Sequence, residues 1–419
     1  MGKTAIIGFG CAGYHAAEAL RAHSPDSLID VFTENNEAPS NPMLTTYYAS
    51  GKIPEVNMYP FGGLREIAER LNLQIFTENP VKSLNATDRE VVLTDGSRRH
   101  YDDIVIATGA DALIPPIPGM PQRGVFAMRT SGDARKIAAA LDDTVKSALV
   151  IGASMVGIKV VEILLKRGIK TTLADMAPYI FPLSALEDVA EIIHARLLDK
   201  GIDLLFGHPI ESFQETADGI VSTFQGGESV TSDVVVFCMG TRARLSICNK
   251  DELDIGRGIK VDLNMRTNVP HVYAVGDCCE TTNVQSGQSM IVGLWANAVK
   301  QGQVAGMNIA GESAEYQGNL IHNITHFLDM DFISIGDNRI KGERISFQHS
   351  REGWMFEAIS NGDEISCINI LDNEHISGPV KNILLKHVKA PKEKTNVMTK
   401  LVLRKSGLPV EIVERLTNE

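Results

Sequence analysis

A short apolar run followed by a glycine-rich turn opens this chain and constrains its fold more than any other stretch. Thr4 to Gly13 reads TAIIGFGCAG, in which Gly8-x-Gly10-x-x-Gly13 follows a predicted strand and precedes a helical run. The first glycine permits a tight turn, the second lets the backbone approach a pyrophosphate, and the third allows close helix packing. This pattern predicts a dinucleotide site, and a chance glycine-rich turn is the alternative.

An acidic residue after the next predicted strand favours the dinucleotide interpretation. Leu28 to Phe32 is predicted as a strand, and Glu34 follows it. The separation from Gly8 is close to that of the ribose-binding acid in dinucleotide folds. Glu34 is therefore a candidate ribose ligand.

The opening pattern recurs in the middle of the chain. Ser147 to Gly157 reads SALVIGASMVG, which places Gly152-x-Ser154-x-x-Gly157 before the predicted helix Ile158 to Arg167. Serine replaces the middle glycine, and it is small enough to admit close approach although it weakens the motif. A second nucleotide site is predicted here.

The second site also has its acid. The predicted strand Lys170 to Ala174 ends in Asp175, at the spacing of a ribose ligand. A carboxylate there accepts hydrogen bonds from both ribose hydroxyls and repels a 2'-phosphate, so NAD is favoured over NADP. Val234 to Gly240 is predicted as the core strand that closes this unit.

A second acid of interest follows a strand late in the chain. Val272 to Val275 is predicted as a buried strand that ends in Gly276-Asp277. Asp277 is either a helix cap or a contact to a ribose or polyol, because ligands bind at the carboxyl ends of such strands. The strand Ile104 to Ala107, which ends in Thr108-Gly109, completes a fold with the second nucleotide unit inserted in the first. One site is predicted to hold a tightly bound redox cofactor and the other a mobile nicotinamide.

Composition narrows the class of protein. The chain has 419 residues, of which 44% are hydrophobic and 22% charged, so two or three domains with proper cores are expected. The net charge is -12 without a lysine- or arginine-rich run, which argues against nucleic acid or an anionic membrane as the main partner. No apolar run approaches the roughly 18 residues of a membrane span, and the first strand leaves no room for a signal peptide. A cytoplasmic protein is expected.

Cysteine and histidine spacing gives little sign of thiol or metal chemistry. The six cysteines form no C-x-x-C pair, and the adjacent Cys278 and Cys279 do not suit an ordinary disulfide. A reduced compartment follows. His322 and His326 could place two metal ligands on one helical face, but no third ligand is evident and no metal is predicted.

With these pieces in order, the sequence resembles the pyridine nucleotide-disulfide oxidoreductase superfamily of FAD-dependent flavoproteins that use NAD(P)H. The resemblance covers about residues 1 to 315. It rests on both glycine-rich turns, on Ala107-Thr108-Gly109 and on Val272 to Asp277. By this similarity Glu34 binds the FAD adenosine ribose, and Val81 contacts adenine through its backbone. Arg129 contacts the flavin cofactor, and Asp277 binds the ribityl chain.

The resemblance implies an α/β fold with two Rossmann-like dinucleotide-binding domains and a third, C-terminal domain. Residues 1–112 and 242–315 would form a discontinuous FAD-binding domain, and 113–241 an inserted NAD-binding domain. Residues 316–419 would form a C-terminal α+β domain of the kind that makes homodimers. The candidate FAD-binding residues are Gly8, Gly10, Gly13, Glu34, Asn41, Val81, Thr108, Gly109, Arg129 and Asp277. The candidate NAD-binding residues are Gly152, Ser154, Met155, Gly157, Asp175 and Gly240.

Departures from the family pattern bear most on function. Met43 stands where the coenzyme A-disulfide reductase and NADH oxidase branch carries its single cysteine. A thioether cannot form the thiolate that attacks a disulfide. Pro42-Met43-Leu44 is closer to the cysteine-free branch, which includes rubredoxin reductases, oxygenase-coupled ferredoxin reductases and the flavin part of nitrite reductases.

Two charge changes also separate this chain from its relatives. Relatives often carry a glutamate at the position of Lys159, and the cysteine-free branch often has a basic residue at that of Asn41. Met155 stands where relatives have an aromatic or apolar gate. Lys159, Met43 and Asn41 are therefore candidates for the flavin environment. Lys159 either tunes the flavin or contacts an anionic substrate, or it is a solvated lysine on a helix.

The predicted function is hydride transfer from NADH to the flavin N5 of FAD, without a side-chain nucleophile. Electrons would then pass to a redox partner protein or partner subunit at the face bordered by Asn41 to Tyr48. One alternative is an NADH oxidase or a reductase of a small molecule such as oxygen, a quinone or a disulfide. Another is a non-catalytic flavoprotein subunit.

Overall fold

The amino-terminal third of the chain begins a parallel sheet and carries the first glycine-rich turn. The computed structural model describes residues 2–362, 364–389 and 395–417. The elements up to residue 112 are β1 (Lys3–Ile7), α1 (Cys11–His23), β2 (Leu28–Phe32), α2 (Thr45–Ala49), α3 (Leu64–Leu71), β3 (Gln74–Phe76), β4 (Val81–Asn85), β5 (Glu90–Leu93), β6 (Arg98–His100), β7 (Asp103–Ile106) and β8 (Ala110–Ala112). Short 3₁₀ turns lie at Pro42–Leu44 and Glu55–Met58.

The middle of the chain forms a second parallel sheet and an antiparallel excursion. Its elements are β9 (Val125–Ala127), α4 (Ser131–Ala140), β10 (Ser147–Ile151), α5 (Met155–Lys166), β11 (Lys170–Asp175), α6 (Glu187–Asp199), β12 (Asp203–Phe206), β13 (Ile210–Thr216), β14 (Gly219–Phe224), β15 (Ser229–Ser232), β16 (Val234–Phe237) and β17 (Thr241–Ala243).

The last third returns to the first sheet and then builds a separate antiparallel sheet. Its elements are β18 (Ile259–Lys260), β19 (Val272–Ala274), β20 (Cys279–Thr282), β21 (Ser289–Met290), α7 (Trp295–Ile309), β22 (His322–Phe327), β23 (Met330–Gly336), β24 (Glu343–Gln348), β25 (Met355–Asn361), β26 (Glu364–Leu371), α8 (Ser377–Lys389), α9 (Val397–Lys405) and α10 (Val410–Thr417). Further 3₁₀ turns lie at Gly276–Cys278 and Glu374–Ile376.

The two parallel sheets share one topology. In the described part of the chain, the first sheet has the order β3-β2-β1-β7-β19 and the second has β12-β11-β10-β16-β9. Neighbouring strands are parallel in both. The central strand of each, β1 or β10, lies beside a strand that is distant in sequence, and this switch point is where such sheets bind ligands. Each glycine-rich turn leaves the carboxyl end of the central strand.

Strands of both parallel sheets are continuous apolar runs because they are buried on both faces. Ile104 to Ile106 in β7 and Val234 to Phe237 in β16 are buried throughout, as expected for parallel strands covered on both faces. The small residues of α7 let it pack closely against α1. A Cβ added to Gly302 would lie 2.3 Å from the Ala12 carbonyl oxygen, and one added to Gly306 would lie 2.4 Å from that of Ala16.

The second parallel sheet is inserted in the first. The chain leaves the first sheet through β8 and returns through β17, which pairs antiparallel with β8 so that Thr241 lies opposite Ala112. β19 then joins β7 in the first sheet. The structure confirms the predicted fold class, and the residue limits of the domains remain a prediction.

The C-terminal region is an antiparallel sheet covered on both faces. Among the described residues its strand order is β22-β23-β26-β25-β24. One face packs on α8, α9 and α10 through a core that includes Phe356, Ile368, Val380 and Leu416. On the other face, the Glu357 carboxylate accepts a hydrogen bond of 3.0 Å from the Val189 backbone of α6. The sheet therefore rests against the inserted unit.

Candidate functional site

The first glycine-rich turn has the geometry of a pyrophosphate cradle. Gly8 has a φ of 98°, and a Cβ there would lie 2.3 Å from the Ala107 carbonyl oxygen. A Cβ on Gly13 would lie 2.3 Å from the Gly8 carbonyl oxygen, so both positions require glycine. At Gly10 an added Cβ would meet no described atom within 4 Å. The open space at Gly10 fits an approaching pyrophosphate at the start of α1.

Glu34, the predicted ribose ligand of this first site, lies just beyond β2 and is already paired. Its Oε2 accepts a hydrogen bond of 2.7 Å from Nη1 of Arg244, while 63% of its side chain is exposed. Arg244 also contacts Asp111 through Nε at 3.0 Å and through Nη2. Sequence reasoning missed Arg244, because it stands 210 positions from Glu34 and carries no motif of its own.

Asp277 and Arg129, two predicted FAD contacts, form an ion pair. Asp277 lies in the 3₁₀ turn after β19, and its Oδ2 is 2.5 Å from Nη2 of Arg129. The N-cap residue of that turn is Val275, and the Asp277 carboxylate accepts its hydrogen bond from Arg129, so the helix-cap alternative is not what is seen. A Cβ added to Gly293 would lie 3.6 Å from Asp277 Oδ1, so a stretch of backbone borders the same carboxylate.

Three more residues are predicted to bind FAD: Thr108 and Gly109 in the turn after β7, and Val81 in β4. The Thr108 hydroxyl donates a hydrogen bond of 2.7 Å to the Arg244 carbonyl oxygen, and the Arg244 backbone N–H donates one of 2.9 Å to the Gly109 carbonyl oxygen. Gly109 has a φ of 68°, which favours glycine. Val81 begins β4 opposite Leu93 and is half-buried. The adenine contact of Val81 remains a prediction.

In the second glycine-rich turn, the serine has a specific structural role. Gly152 has a φ of 112°, and a Cβ there would lie 2.4 Å from the Cys238 carbonyl oxygen. The Ser154 hydroxyl accepts a hydrogen bond of 3.1 Å from the Gly157 backbone and donates one of 2.8 Å to Cys238. Ser154 is therefore the N-cap of α5, whose first residue is the half-buried Met155. The preference of serine for helix N-caps was the available signal.

Asp175 ends β11 and is held by backbone groups of the second site. Its Oδ2 accepts a hydrogen bond of 2.7 Å from the Ala153 backbone, and its Oδ1 accepts one of 2.8 Å from Ala177. Gly240 has a φ of 92°, and an added Cβ would meet no described atom within 4 Å. Ala153 belongs to the glycine-rich turn, so the structure joins the predicted ribose acid to that turn.

Asn41 and Met43 occupy a short turn of their own. The Asn41 amide oxygen accepts a hydrogen bond of 3.0 Å from the Met43 backbone and caps the 3₁₀ turn Pro42–Leu44. The Met43 residue is 58% exposed. The Asn41 amide is thus used in a local cap, and among the described residues the Lys159 ammonium contacts Glu162, His326 and Tyr47 rather than Asn41.

Lys159 is enclosed rather than solvated. Its side chain is only 12% exposed. Its ammonium contacts the Glu162 carboxylate and donates a hydrogen bond of 2.7 Å to the His326 carbonyl oxygen. The ammonium also lies 5.3 Å from the centre of the Tyr47 ring. Burial opposes ionisation of Glu162, yet hydrogen bonds from Lys159 and Lys166 outweigh it and lower the pKa of Glu162 to about 2. Lys159 thus links α5 to α2 and to β22.

All six cysteines are free thiols. Burial raises the pKa of Cys11 and of Cys238 to about 12, and it raises the pKa of Cys248 and of Cys367 to the same value. Burial also raises the pKa of Cys278 and Cys279 beside the candidate site. A thiolate is the reactive form of cysteine, so these side chains do not suit thiol chemistry near neutral pH.

The helical interpretation of the two late histidines is wrong. His322 and His326 lie in strand β22, where residues four positions apart share a face as they do in a helix. His326 pairs with Asp331 at 2.8 Å, and burial lowers the pKa of His322 to about 4. Within the described residues, no group of three or more His, Cys, Asp or Glu side chains is arranged to hold a metal ion.

Comparison with known proteins places these observations in a family. The family model described as pyridine nucleotide-disulphide oxidoreductase matches residues 2–302. The NADH oxidase of Methanocaldococcus jannaschii is 30% identical over 340 residues, which span 80% of this chain and 76% of that protein. The rubredoxin-NAD(+) reductase of Alcanivorax borkumensis is 30% identical over 277 residues, spanning 66% of this chain and 72% of the relative.

A solved structure supports the fold. The water-forming NADH oxidase of Lactobacillus brevis, bound to NADH, superposes with a TM-score of 0.86 at 20% sequence identity, covering 92% of this chain and 90% of that one. The described residues contain no helix that is long and apolar enough to cross a membrane. The predicted enzyme class, an oxidoreductase that uses FAD and NADH, is confirmed. The chain belongs to the pyridine nucleotide-disulphide oxidoreductase family.

Proposed function

We propose that this enzyme delivers electrons from NADH to a redox partner protein or partner subunit without using a redox-active cysteine. The observation that carries the proposal is the state of the thiols. Met43 is exposed in the turn to which the family resemblance assigns the cysteine of related enzymes, and burial holds the pKa of all six thiols above the usual range. The name of the rubredoxin-NAD(+) reductase relative supports a protein acceptor.

The chain's own residues would bind and orient the two cofactors. When bound, NADH and FAD supply the hydride and electron chemistry. Gly10 and the start of α1 would receive the FAD pyrophosphate, and Glu34 and Asp277 would accept hydrogen bonds from its hydroxyl groups. Asp175 would do the same for the adenosine ribose of NADH. The open backbone at Gly10 and the placement of the acids after β2, β19 and β11 support these assignments.

Anaerobic mixing with NADH tests the proposed function. Flavin absorbance should bleach rapidly, and the reduced enzyme should then reoxidise when it meets a protein acceptor. Enzyme that retains FAD but is never reduced by NADH would contradict the proposal and favour a non-catalytic flavoprotein subunit.

An NADH oxidase is the second candidate, and the names of two matched proteins favour it. Peroxide or water formation under air, at a rate that matches NADH consumption, would identify oxygen as the acceptor. A rate under air far below the rate with a protein acceptor would support electron transfer to a partner. A quinone or a disulfide can be added to the same assay as a competing acceptor.

Lys159 is proposed to tune the flavin or to contact an anionic substrate. Its enclosed ammonium between α5, α2 and β22 supports a fixed positive charge rather than a mobile one. Lys159→Gln should shift the flavin reduction potential. Lys166→Gln is the matched control, because Lys166 pairs with the same Glu162 carboxylate yet is 54% exposed. Equal potentials in the wild type and Lys159→Gln would contradict this role.

A homodimer in the cytoplasm is also proposed. The helix α9 exposes Val397, Met398, Leu401 and Val402, and such a patch on the C-terminal region supports a protein interface. The unpaired thiols support a reducing compartment. Light scattering of the full chain tests the dimer, with Leu401→Asp as the disrupting variant. Cell fractionation tests the location.

A further inference from the structure

We propose that Arg244 is a positioning residue for FAD, acting by holding the Glu34 carboxylate in place for the adenosine ribose. This inference rests on the proposed function, in which Glu34 is the ribose ligand. Arg244 itself belongs to neither glycine-rich turn. It stands at the point where the chain returns from the inserted unit to the first sheet, one residue after β17.

The Arg244 guanidinium bridges two carboxylates. Nε donates to Asp111 Oδ1 at 3.0 Å and Nη2 contacts the same oxygen, while Nη1 donates to Glu34 Oε2 at 2.7 Å. Two bonds to one partner fix the plane of the guanidinium, and the remaining donor then points in a set direction. Asp111 therefore orients Arg244, and Arg244 orients Glu34.

The backbone of Arg244 is anchored to the predicted FAD turn. Its N–H donates to the Gly109 carbonyl oxygen at 2.9 Å, and its carbonyl oxygen accepts from the Thr108 hydroxyl at 2.7 Å. The preceding residues pair with β8, where Arg242 lies opposite Asp111. Main chain and side chain thus tie Arg244 to Thr108, Gly109 and Glu34, three residues that were predicted to bind FAD.

The ion pair between Arg244 and Glu34 leaves one carboxylate oxygen of Glu34 available to bind FAD. A carboxylate offers two oxygens, and Arg244 uses Oε2 only. Oε1 remains available for a ribose hydroxyl. Without Arg244, the exposed Glu34 side chain beyond β2 would be flexible. Holding it in advance reduces the ordering cost of FAD binding, and one immobilised side chain corresponds to about threefold to tenfold in affinity.

The dissociation constant for FAD in the full-length enzyme tests the inference. Arg244→Gln should raise it about threefold to tenfold. Glu34→Gln should raise it at least as much, and the double variant should match Glu34→Gln alone, because Arg244 acts through Glu34. Arg244→Lys keeps the charge without the fork and should fall between wild type and Arg244→Gln.

Arg242→Gln is the matched control, since Arg242 is an exposed arginine two positions away on the adjoining strand, and its FAD affinity should equal that of wild type. An unchanged constant in Arg244→Gln, or effects that multiply in the double variant, would overturn the inference. The multiplied effect would mean that Arg244 acts independently of Glu34, as a purely structural residue does. Flavin reduction by NADH is measured separately, so failure of the proposed function is distinguishable from failure of the Arg244 role.

Discussion

The two glycine-rich turns follow the central strands of sheets with the same topology. They differ in whether side chains of the protein accept hydrogen bonds from their backbone N–H groups. At the first turn Gly10 is the N-cap of α1, and no described side chain caps the helix. At the second turn the Ser154 hydroxyl accepts a hydrogen bond from the Gly157 N–H, and the Asp175 carboxylate accepts one from the Ala153 N–H. An anion at the first turn meets open donors, whereas one at the second must compete with side chains. The difference fits a retained FAD and an exchangeable NADH.

Giving the first glycine-rich turn the serine of the second should have the largest effect, which is on FAD affinity. Gly10→Ser brings in the hydroxyl that Ser154 carries, which would cap α1 and crowd the pyrophosphate. Loss of a hydrogen bond to a charged group predicts a fall in FAD affinity of about 100-fold. Fluorescence of released FAD measures it. Because the position is open in the protein itself, thermal stability of the FAD-free chain should change little, and retention of FAD would break the comparison.

Removing an acid from the first site should weaken FAD next most. Asp277→Ala deletes a predicted ribityl contact and leaves Arg129 without its partner carboxylate, so FAD affinity should fall about 30-fold. Cys279→Ser is the control, since the buried thiol is outside the predicted chemistry, and its flavin should still be reduced by NADH. A thiol variant that loses reduction would contradict the cysteine-free proposal.

The corresponding change in the second site should act on the mobile cofactor alone. Asp175→Asn removes the charge that is predicted to bind ribose hydroxyls and to repel a 2'-phosphate, so the KM for NADH should rise about tenfold while that for NADPH rises less or falls. Steady-state rates with each nucleotide measure the change. FAD content is the internal control, and loss of FAD from this variant would show that the two sites are not separate.

The smallest effect is expected from converting the second turn to the first. Ser154→Gly frees the Gly157 N–H, and NADH should bind about threefold more tightly, while a glycine cap costs a few tenths of a kcal/mol in stability. Equilibrium binding of NADH to the oxidised enzyme measures the gain. Ser154→Ala separates the hydroxyl from the side-chain volume, because it removes the cap but keeps the Cβ. Weaker binding in both variants would mean that Ser154 serves NADH directly.

Periodic patterns predicted the elements well. Strand β2 begins and ends where the sequence predicted, and β11 begins at the predicted residue and ends one residue later, because short apolar runs after a helix indicate buried strands. His322 and His326 show the limit of spacing, since residues four apart share a face in a strand as well as in a helix. The acids after β2 and β11 were found because their distance from the glycines is set by the fold.

Contacts across the insertion were beyond sequence reasoning. Arg244 meets Glu34 only because β17 returns beside β8, and Arg129, which follows β9 of the inserted sheet, meets Asp277, which follows β19 of the first sheet. The enclosure of Lys159 depends on the carbonyl of His326 in the C-terminal sheet. Asn41 was assigned to the flavin environment, but its amide also caps a local turn. The contacts of Arg244, Arg129 and Lys159 are encoded in no local pattern, whereas the Asn41 cap is local and uses a residue type that favours helix N-caps.

The pairing of β8 with β17 also brings the two ends of the inserted unit side by side. Thr241 lies opposite Ala112, so the chain leaves and re-enters the first sheet at one place. A connection of a few residues, such as a tight hairpin turn, would close that gap. A chain without the inserted unit would keep a hairpin that carries Arg244 to Glu34, but it would lose the α6 backbone that binds Glu357 and the Lys159 contact to the His326 carbonyl oxygen.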